Sequence, residues 1–369
     1  MSAVAVKHQA INLGQGFPDT EGPRDVVEFA ARALLDQQNQ YPPLAGHPAL
    51  REAVAAVNRR FYGPDIDPAT EVVVTSGGTE ALTAAMMALL NPGDEVVVFE
   101  PLYDTYLPVI RMLGAWPKIV RLEPPDWALP DAALREAFGA RTKLVLMNSP
   151  MNPTGKVFSA AELGLIAELV RQYDAYVIGD EVYEHLVFDG LRHLPLMALP
   201  GMRERCLRVG SAGKTFSLTG WKIGYAAAAA PLAALVANAH QNLTFTRPPN
   251  LQRAVAFGLG KDEAYFRGFA ADLGRKRDRL RAGLARVGLK CLPCSGSYFL
   301  IADIRGVGFM GSDVEFCLTI TKEAKVTAIP LSAFYDQPDA PKHLVRFAFC
   351  KREEVLDEAV ARLGALCAA

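Results

Sequence analysis

Apolar positions change their spacing along the chain. From Arg24 to Gln37 and from Pro48 to Phe61 they recur every three or four residues, as in amphipathic helices, with the Pro- and Gly-rich stretch Gln40 to Gly46 between them. Beyond it, short continuous apolar runs alternate with helical patterns. Glu71–Thr75, Glu95–Phe99, Lys118–Arg121, Lys143–Met147, Ala175–Gly179, Cys206–Val209 and Ile223–Ala226 read as strands, and Thr79–Leu90, Tyr103–Leu113 and Ala160–Tyr173 as helices. Strands apolar on both faces and separated by helices predict a mostly parallel sheet covered on both sides. After a long charged helical stretch the pattern changes. Ser297–Ile301, Lys325–Ile329 and His343–Ala348 read as strands, Asp313–Lys322 as a helix, and a closing helix starts at Glu353, which together predict a smaller α+β unit. The basic run Arg275–Arg279 is expected on the solvated face of the long helix.

Length and charge narrow the class. The 369 residues suit roughly two domains, which bury about three quarters of the surface the unfolded chain exposes. With 39 basic against 40 acidic residues and half the chain hydrophobic, disorder and electrostatic binding of nucleic acid or membranes are not expected. No apolar run is long enough to span a bilayer and the N-terminus lacks an export signal, so a cytoplasmic location is expected. Cys206, Cys291, Cys294, Cys317, Cys350 and Cys367 are scattered as reduced thiols would be. The Cys291–Cys294 pair has a metal-binding spacing but no second pair to complete four ligands, so no metal is expected.

Two patterns mimic other functions. Gly306-Val-Gly308-Phe-Met-Gly311 matches a dinucleotide fingerprint, yet the following strand lacks a terminal acidic residue and no second βαβ half follows. Ser211, Ser217 and Ser295 lack a nucleophile-elbow context.

The chemistry gathers at strand ends. Lys214 sits in the Ser/Gly-rich turn after the Cys206–Val209 run, where α/β proteins bind ligands. Asp180 ends another strand, with Tyr183 three residues on, and Asn152 lies in the Pro-Gly loop after Met147. Ser76-Gly77-Gly78-Thr79 offers free backbone N–H groups at a helix start, an anion site. A lysine for an aldehyde, an aspartate for a ring nitrogen, an amide and a phenol for a phenolic oxygen, and a phosphate cradle together suit pyridoxal 5′-phosphate.

The ordered set Gly14-Gln15-Gly16-Phe-Pro-Asp19, Tyr41, Ser76–Glu80, Glu100–Asp104, Asn152–Gly155, Asp180–Tyr183, Ser211–Gly224 and Val345-Arg346-Phe347 resembles the class I/II aminotransferases from about Ile11 to Lys351. Within them it is most similar to the branch of kynurenine, glutamine, methionine and N-succinyldiaminopimelate aminotransferases. The resemblance implies the α/β fold-type I architecture of pyridoxal-phosphate enzymes. A large domain over residues 30–270 would hold a seven-stranded, mostly parallel sheet, and residues 1–29 with 271–369 would form a small domain closing over the active site.

It also implies roles. Lys214 would carry the cofactor as a Schiff base, Asp180 would face the pyridine nitrogen, Tyr183 and Asn152 the phenolic oxygen, and Tyr103 would stack on the ring. Gly78, Thr79, Ser211 and Lys222 would hold the phosphate, with Tyr41 reaching it from the second subunit of a homodimer. Lys222 stands where family members more often have arginine. Arg346 would capture the substrate α-carboxylate, Gly16 would cover that end, and Phe245 would line the neighbour's pocket. The implied reaction is ping-pong transfer of an amino group from an L-amino acid of methionine, aromatic, glutamine or kynurenine type to a 2-oxo acid. N-succinyl-LL-diaminopimelate as substrate and β-elimination from cysteine conjugates are the alternatives, and a non-catalytic ligand sensor is disfavoured because no DNA-binding segment is attached.

Overall fold

The computed structural model describes residues 1–367, Cys367 through its backbone alone; Ala368 and Ala369, the last residues of the expected small domain, lie outside the described residues. A two-residue strand, β1 (Ile11–Asn12), opens the strand series. Seven strands follow: β2 (Val72–Ser76), β3 (Glu95–Glu100), β4 (Trp116–Arg121), β5 (Thr142–Asn148), β6 (Tyr176–Asp180), β7 (Cys206–Ser211) and β8 (Ile223–Ala228). They form one sheet in the order β2-β8-β7-β6-β5-β3-β4, in which β8 alone runs antiparallel to its neighbours. Side chains along these strands alternate between two cores. Val72 and Val74 face one and Val73 the other, as Val145 and Met147 oppose Leu144 and Leu146. This is why the runs read as continuously apolar: helices cover both faces.

Five strands complete the fold: β9 (Lys290–Cys291), β10 (Phe299–Asp303), β11 (Val326–Thr327), β12 (Ile329–Pro330) and β13 (Leu344–Ala348). The order β12-β13-β10-β9 makes an antiparallel sheet with its own core, and β1 pairs with β11, which ties the N-terminal segment to this second unit. The expected single strand Lys325–Ile329 is thus two short strands in different sheets, broken at Ala328 so that Ile329 can pair with Arg346. A helix over Asp131–Ala137 lies between β4 and β5, and the helix expected from Tyr103 starts at Tyr106.

Two further expectations are corrected by packing. The long helix Glu263–Arg286 does not leave Arg277 on its solvated face; the guanidinium is buried and grips Asp189 through two nitrogens at 2.6 and 2.8 Å. The helix expected from Thr79 begins at Gly77, which has φ +71°. A Cβ on Gly224 of β8 would lie 2.4 Å from the Gly77 carbonyl carbon, so backbone packs on backbone and draws the helix start over the sheet edge. Gly306–Gly311 follows β10, which is antiparallel to both neighbours, so it has no βαβ context.

Candidate active site

Parallel direction gives β2, β5, β6 and β7 a common carboxyl edge, which carries Ser76, Asn148, Asp180 and Ser211. A cavity of about 450 Å³ opens there, of a size suited to a cofactor with a small substrate. The sequence-derived residues Gly16, Gly78, Thr79, Tyr103, Asn152, Asp180, Tyr183, Ser211, Lys214, Lys222 and Arg346 all line it. Tyr41 and Phe245 do not. Both are exposed in the single chain, 80% and 43%, and stand edge to face with ring centroids 5.4 Å apart.

Lys214 lies in the helical turn Ala212–Thr215 directly after β7. Its Nζ donates to the Tyr298 hydroxyl at 2.8 Å and, more weakly, to the Gly16 carbonyl at 3.5 Å. Burial lowers its pKa to about 8; Cys350 and Asp180 counter that trend, while Lys222 and Arg346 add to it. An amine so held is largely neutral in mildly basic solution, as a nucleophile or base must be.

Asp180 ends β6 and accepts from the Tyr106 hydroxyl at 2.5 Å. Burial raises its pKa to about 6, against the pull of Tyr106 and Lys214. A buried carboxylate with a phenol but no cation in contact is a site for a ligand's positive or protonated nitrogen. Tyr183, on the following turn, is buried with its phenol pushed further up, mainly by desolvation.

Arg346 projects from β13. Its Nη1 donates to Asn152 Oδ1 at 2.6 Å and its Nη2 to the Gly14 carbonyl at 2.7 Å, while buried Nε has no partner. Its charge centre lies 3.9 Å from the Phe299 ring centroid and 4.7 Å from that of Phe334. Burial lowers its pKa to about 10, so it keeps its charge at neutral pH. Asn152 is itself fixed, its backbone N–H donating to Asn148 Oδ1 at 2.6 Å.

At the other end of the cavity, Gly77, Gly78 and Thr79 open the Gly77–Leu89 helix, whose unpaired N–H groups and dipole favour an anion. Lys222, in a left-handed conformation at φ +53°, brings its amine over this helix start. The cavity thus has an anion-binding end, a carboxylate in its floor, a perturbed lysine, and a guanidinium at the far end.

Sequence reasoning missed Tyr106, Asn148, Tyr298 and Phe299. Tyr106 shares a helical spacing with Tyr103, a usable signal, whereas Tyr298 and Phe299 read only as part of an apolar strand. The Cys291 and Cys294 thiols are free, burial pushes both up to about 12, and no metal-binding cluster occurs among the described residues.

The family model for aminotransferase class I and II matches residues 8–363. A probable N-succinyldiaminopimelate aminotransferase, DapC, of Mycobacterium tuberculosis is 47% identical over 99% of this chain and 94% of its own. A methionine aminotransferase of Escherichia coli is 42% identical, again over 99% of this chain and 94% of its own. Among solved structures, the Mycobacterium tuberculosis N-succinyldiaminopimelate aminotransferase superposes with a TM-score of 0.96 at 48% identity, covering 99% of this chain and 96% of that one.

Proposed function

The chain belongs to the class I and II aminotransferases and is an enzyme of the transaminase class, and we propose that it uses pyridoxal 5′-phosphate to move the amino group of an L-amino acid to a 2-oxo acid. One observation carries this reading: the perturbed Lys214, the uncompensated Asp180, the Gly77–Thr79 helix start and the partly unpaired Arg346 line a single cavity.

The donor set fits the cofactor. Gly78, Thr79, Ser211 and Lys222 would hold its phosphate, Asp180 its ring nitrogen, Tyr183 and Asn152 its phenolic oxygen, and Tyr103 the ring face. When bound, the cofactor supplies an aldehyde that condenses with amines and a ring that draws electrons from the substrate's Cα. The protein's part is placement and proton handling. Asp180 keeps the ring nitrogen protonated, since its buried carboxylate is stabilised by a cationic neighbour. The freed Lys214 amine takes the Cα proton and returns it one atom away, as a general base and then acid. Arg346 turns its unpaired Nε to the substrate α-carboxylate, and the Gly14–Phe17 segment covers that end against water.

Much of the remaining wall is apolar, with Leu82, Phe299, Ile329, Ala333 and Phe334, beside the polar Gln15 and Thr219. Apart from Lys214, its cations are Lys222 and Arg346, both already committed, and Asp104 adds a negative charge. This favours uncharged side chains of methionine, aromatic, glutamine or kynurenine type. N-succinyl-LL-diaminopimelate is the second reading, on the strength of the 47% identity to the mycobacterial relative; β-elimination from cysteine conjugates would use the same residues.

The exposed Tyr41–Phe245 pair supports a homodimer in which each copy lends these rings to the other's site. The pairing of β1 with β11 supports grouping residues 1–29 with the chain beyond 270 as a small domain over a large one at 30–270. No helix among the described residues is long and apolar enough to cross a membrane, and we place the enzyme in the cytoplasm, acting on free amino acids and 2-oxo acids.

The test is the visible spectrum of protein loaded with pyridoxal phosphate, before and after single amino acids without an acceptor. Conversion to the aminated cofactor by methionine or phenylalanine is expected. Conversion by N-succinyl-LL-diaminopimelate alone selects the second reading, pyruvate and ammonia from a cysteine conjugate select elimination, and no absorption band at all refutes the cofactor assignment.

A further inference from the structure

Resting on the pyridoxal-phosphate reading, we propose that Tyr298 is a positioning residue for Lys214, holding the free amine with its lone pair available and tying that orientation to the N-terminal segment at Gly16.

A phenol has one proton to give. That of Tyr298 goes to the Gly16 carbonyl at 2.6 Å, so toward Lys214 Nζ, at 2.8 Å, the same oxygen can only accept. A neutral lysine amine therefore spends an N–H on Tyr298 and keeps its lone pair for a proton from elsewhere, which is the state a base needs once the substrate has displaced it from the cofactor. If the phenol pointed its proton at Nζ instead, the lone pair would be occupied.

Three features hold the arrangement. Tyr298 is fully buried, with its ring 5.1 Å from Tyr183 at 83° and 4.8 Å from Phe299 at 62°, so it cannot turn away. It lies in the wall between the main cavity and a smaller one of about 250 Å³ lined also by Phe216, Tyr265 and Cys350, and so touches Lys214 without lining the reactant cavity. Gly16 is pinned against Phe299, where a Cβ would come within 2.5 Å of the ring, and its flanking carbonyls at Gly14 and Phe17 accept from Arg346 at 2.7 Å and Lys351 at 2.6 Å. Displacing the segment takes away the carbonyl that accepts the Tyr298 proton, which couples the orientation of Lys214 to the seating of the segment.

The experiment uses Tyr298→Phe, which keeps the ring and removes the hydroxyl. In cofactor-free protein, the pH dependence of Lys214 modification by an amine reagent, mapped by peptide mass spectrometry, reports its acidity. The other charged or titratable groups facing it, Asp180, Cys350, Lys222, Arg346 and Tyr183, stay in place, and of these Tyr183 loses its hydrogen bond with the Tyr298 hydroxyl. Because the accepting oxygen favours the ammonium form, its loss is expected to move the Lys214 pKa below the wild-type value. In the loaded enzyme the amino-acid half-reaction should slow by roughly tenfold or more with KM little changed, and an α-deuterated substrate should show a larger isotope effect than with wild type. An unaltered Lys214 pKa together with an unaltered half-reaction overturns the proposal. Should Tyr298→Phe fail to fold, fluorotyrosine at position 298, a weaker acceptor of nearly the same shape, is expected to lower the Lys214 pKa by a smaller step, and no shift refutes the contact. Failure of wild-type protein to take up the cofactor would count against the aminotransferase reading, while the cofactor-free titration still decides the role of Tyr298.

Discussion

Asp180 and Glu181 are adjacent carboxylates, both buried, and their acidities move in opposite directions. Burial carries Asp180 up to about 6; it would raise Glu181 as well, but Arg208 and His193 outweigh it and hold that group below the usual carboxylate range. Three residues on, Glu184 is lowered to about 2, Arg208 again overcoming desolvation. Behind the turn, Arg208 bonds Glu181 at 2.5 Å and Glu184 at 2.7 Å, His193 meets Glu181 at 2.9 Å, and Tyr225 donates to Glu184 at 3.0 Å. Each carboxylate in that layer has a cation or a hydrogen-bond donor in contact. On the cavity side Asp180 lacks a cation in contact and Arg346 Nε lacks an acceptor. The matched layer fixes the Asp180–Glu184 turn, and the unmatched one leaves Asp180 and Tyr183 free to bind a ligand. Binding capacity is visible here as electrostatics left incomplete.

Lys214→Ala removes the perturbed amine from the reactant side of this contrast and should abolish turnover while the melting temperature stays near that of the parent; near-normal activity would refute the assignment. On the matched side, Arg208→Met strands two buried carboxylates and is expected to cost about 3–5 kcal/mol, measured by denaturant unfolding. A small loss there would mean that the layer does not hold the turn. Arg346→Ala should weaken substrate capture by about ten- to a hundredfold, on the scale of one charged hydrogen bond, seen chiefly in KM; an unchanged KM moves the carboxylate site elsewhere.

The smallest effect sharpens the comparison most. The folded pKa of Asp180, about 6, lies above its ordinary 3.8, so between those values the folded protein keeps a proton that the unfolded chain has lost. Stability of the cofactor-free protein from this group therefore falls as pH rises through that window. Asp180→Asn, without cofactor, should melt a few degrees higher than the parent at neutral pH, with the gap closing below pH 4, and should bind pyridoxal phosphate more weakly. A lower melting temperature at neutral pH would show that Asp180 is already matched within the protein.

Much of this was legible in the chain. Apolar runs located the seven strands of the large sheet within a residue or two, because burial on both faces leaves few polar positions to confuse the pattern. Lys214, Asp180, Asn152 and the Gly77–Thr79 start could be picked out because strand ends followed by Gly, Pro and Ser are local features. The same logic failed where neighbours decide. Arg277 reads as solvated until Asp189, 88 residues away, reaches it, and Lys325–Ile329 reads as one strand although two sheets compete for it.

Local sequence thus determined which groups stand at the sheet's carboxyl edge. Only the tertiary structure decided what faces them: Tyr298, 84 residues from Lys214, and Gly16, 282 residues from Tyr298, meet at one amine. Periodicity reports which side of its own element a residue occupies, whereas a pKa or a proton's direction depends on atoms a few ångströms away in space, contributed by segments whose approach no local pattern encodes.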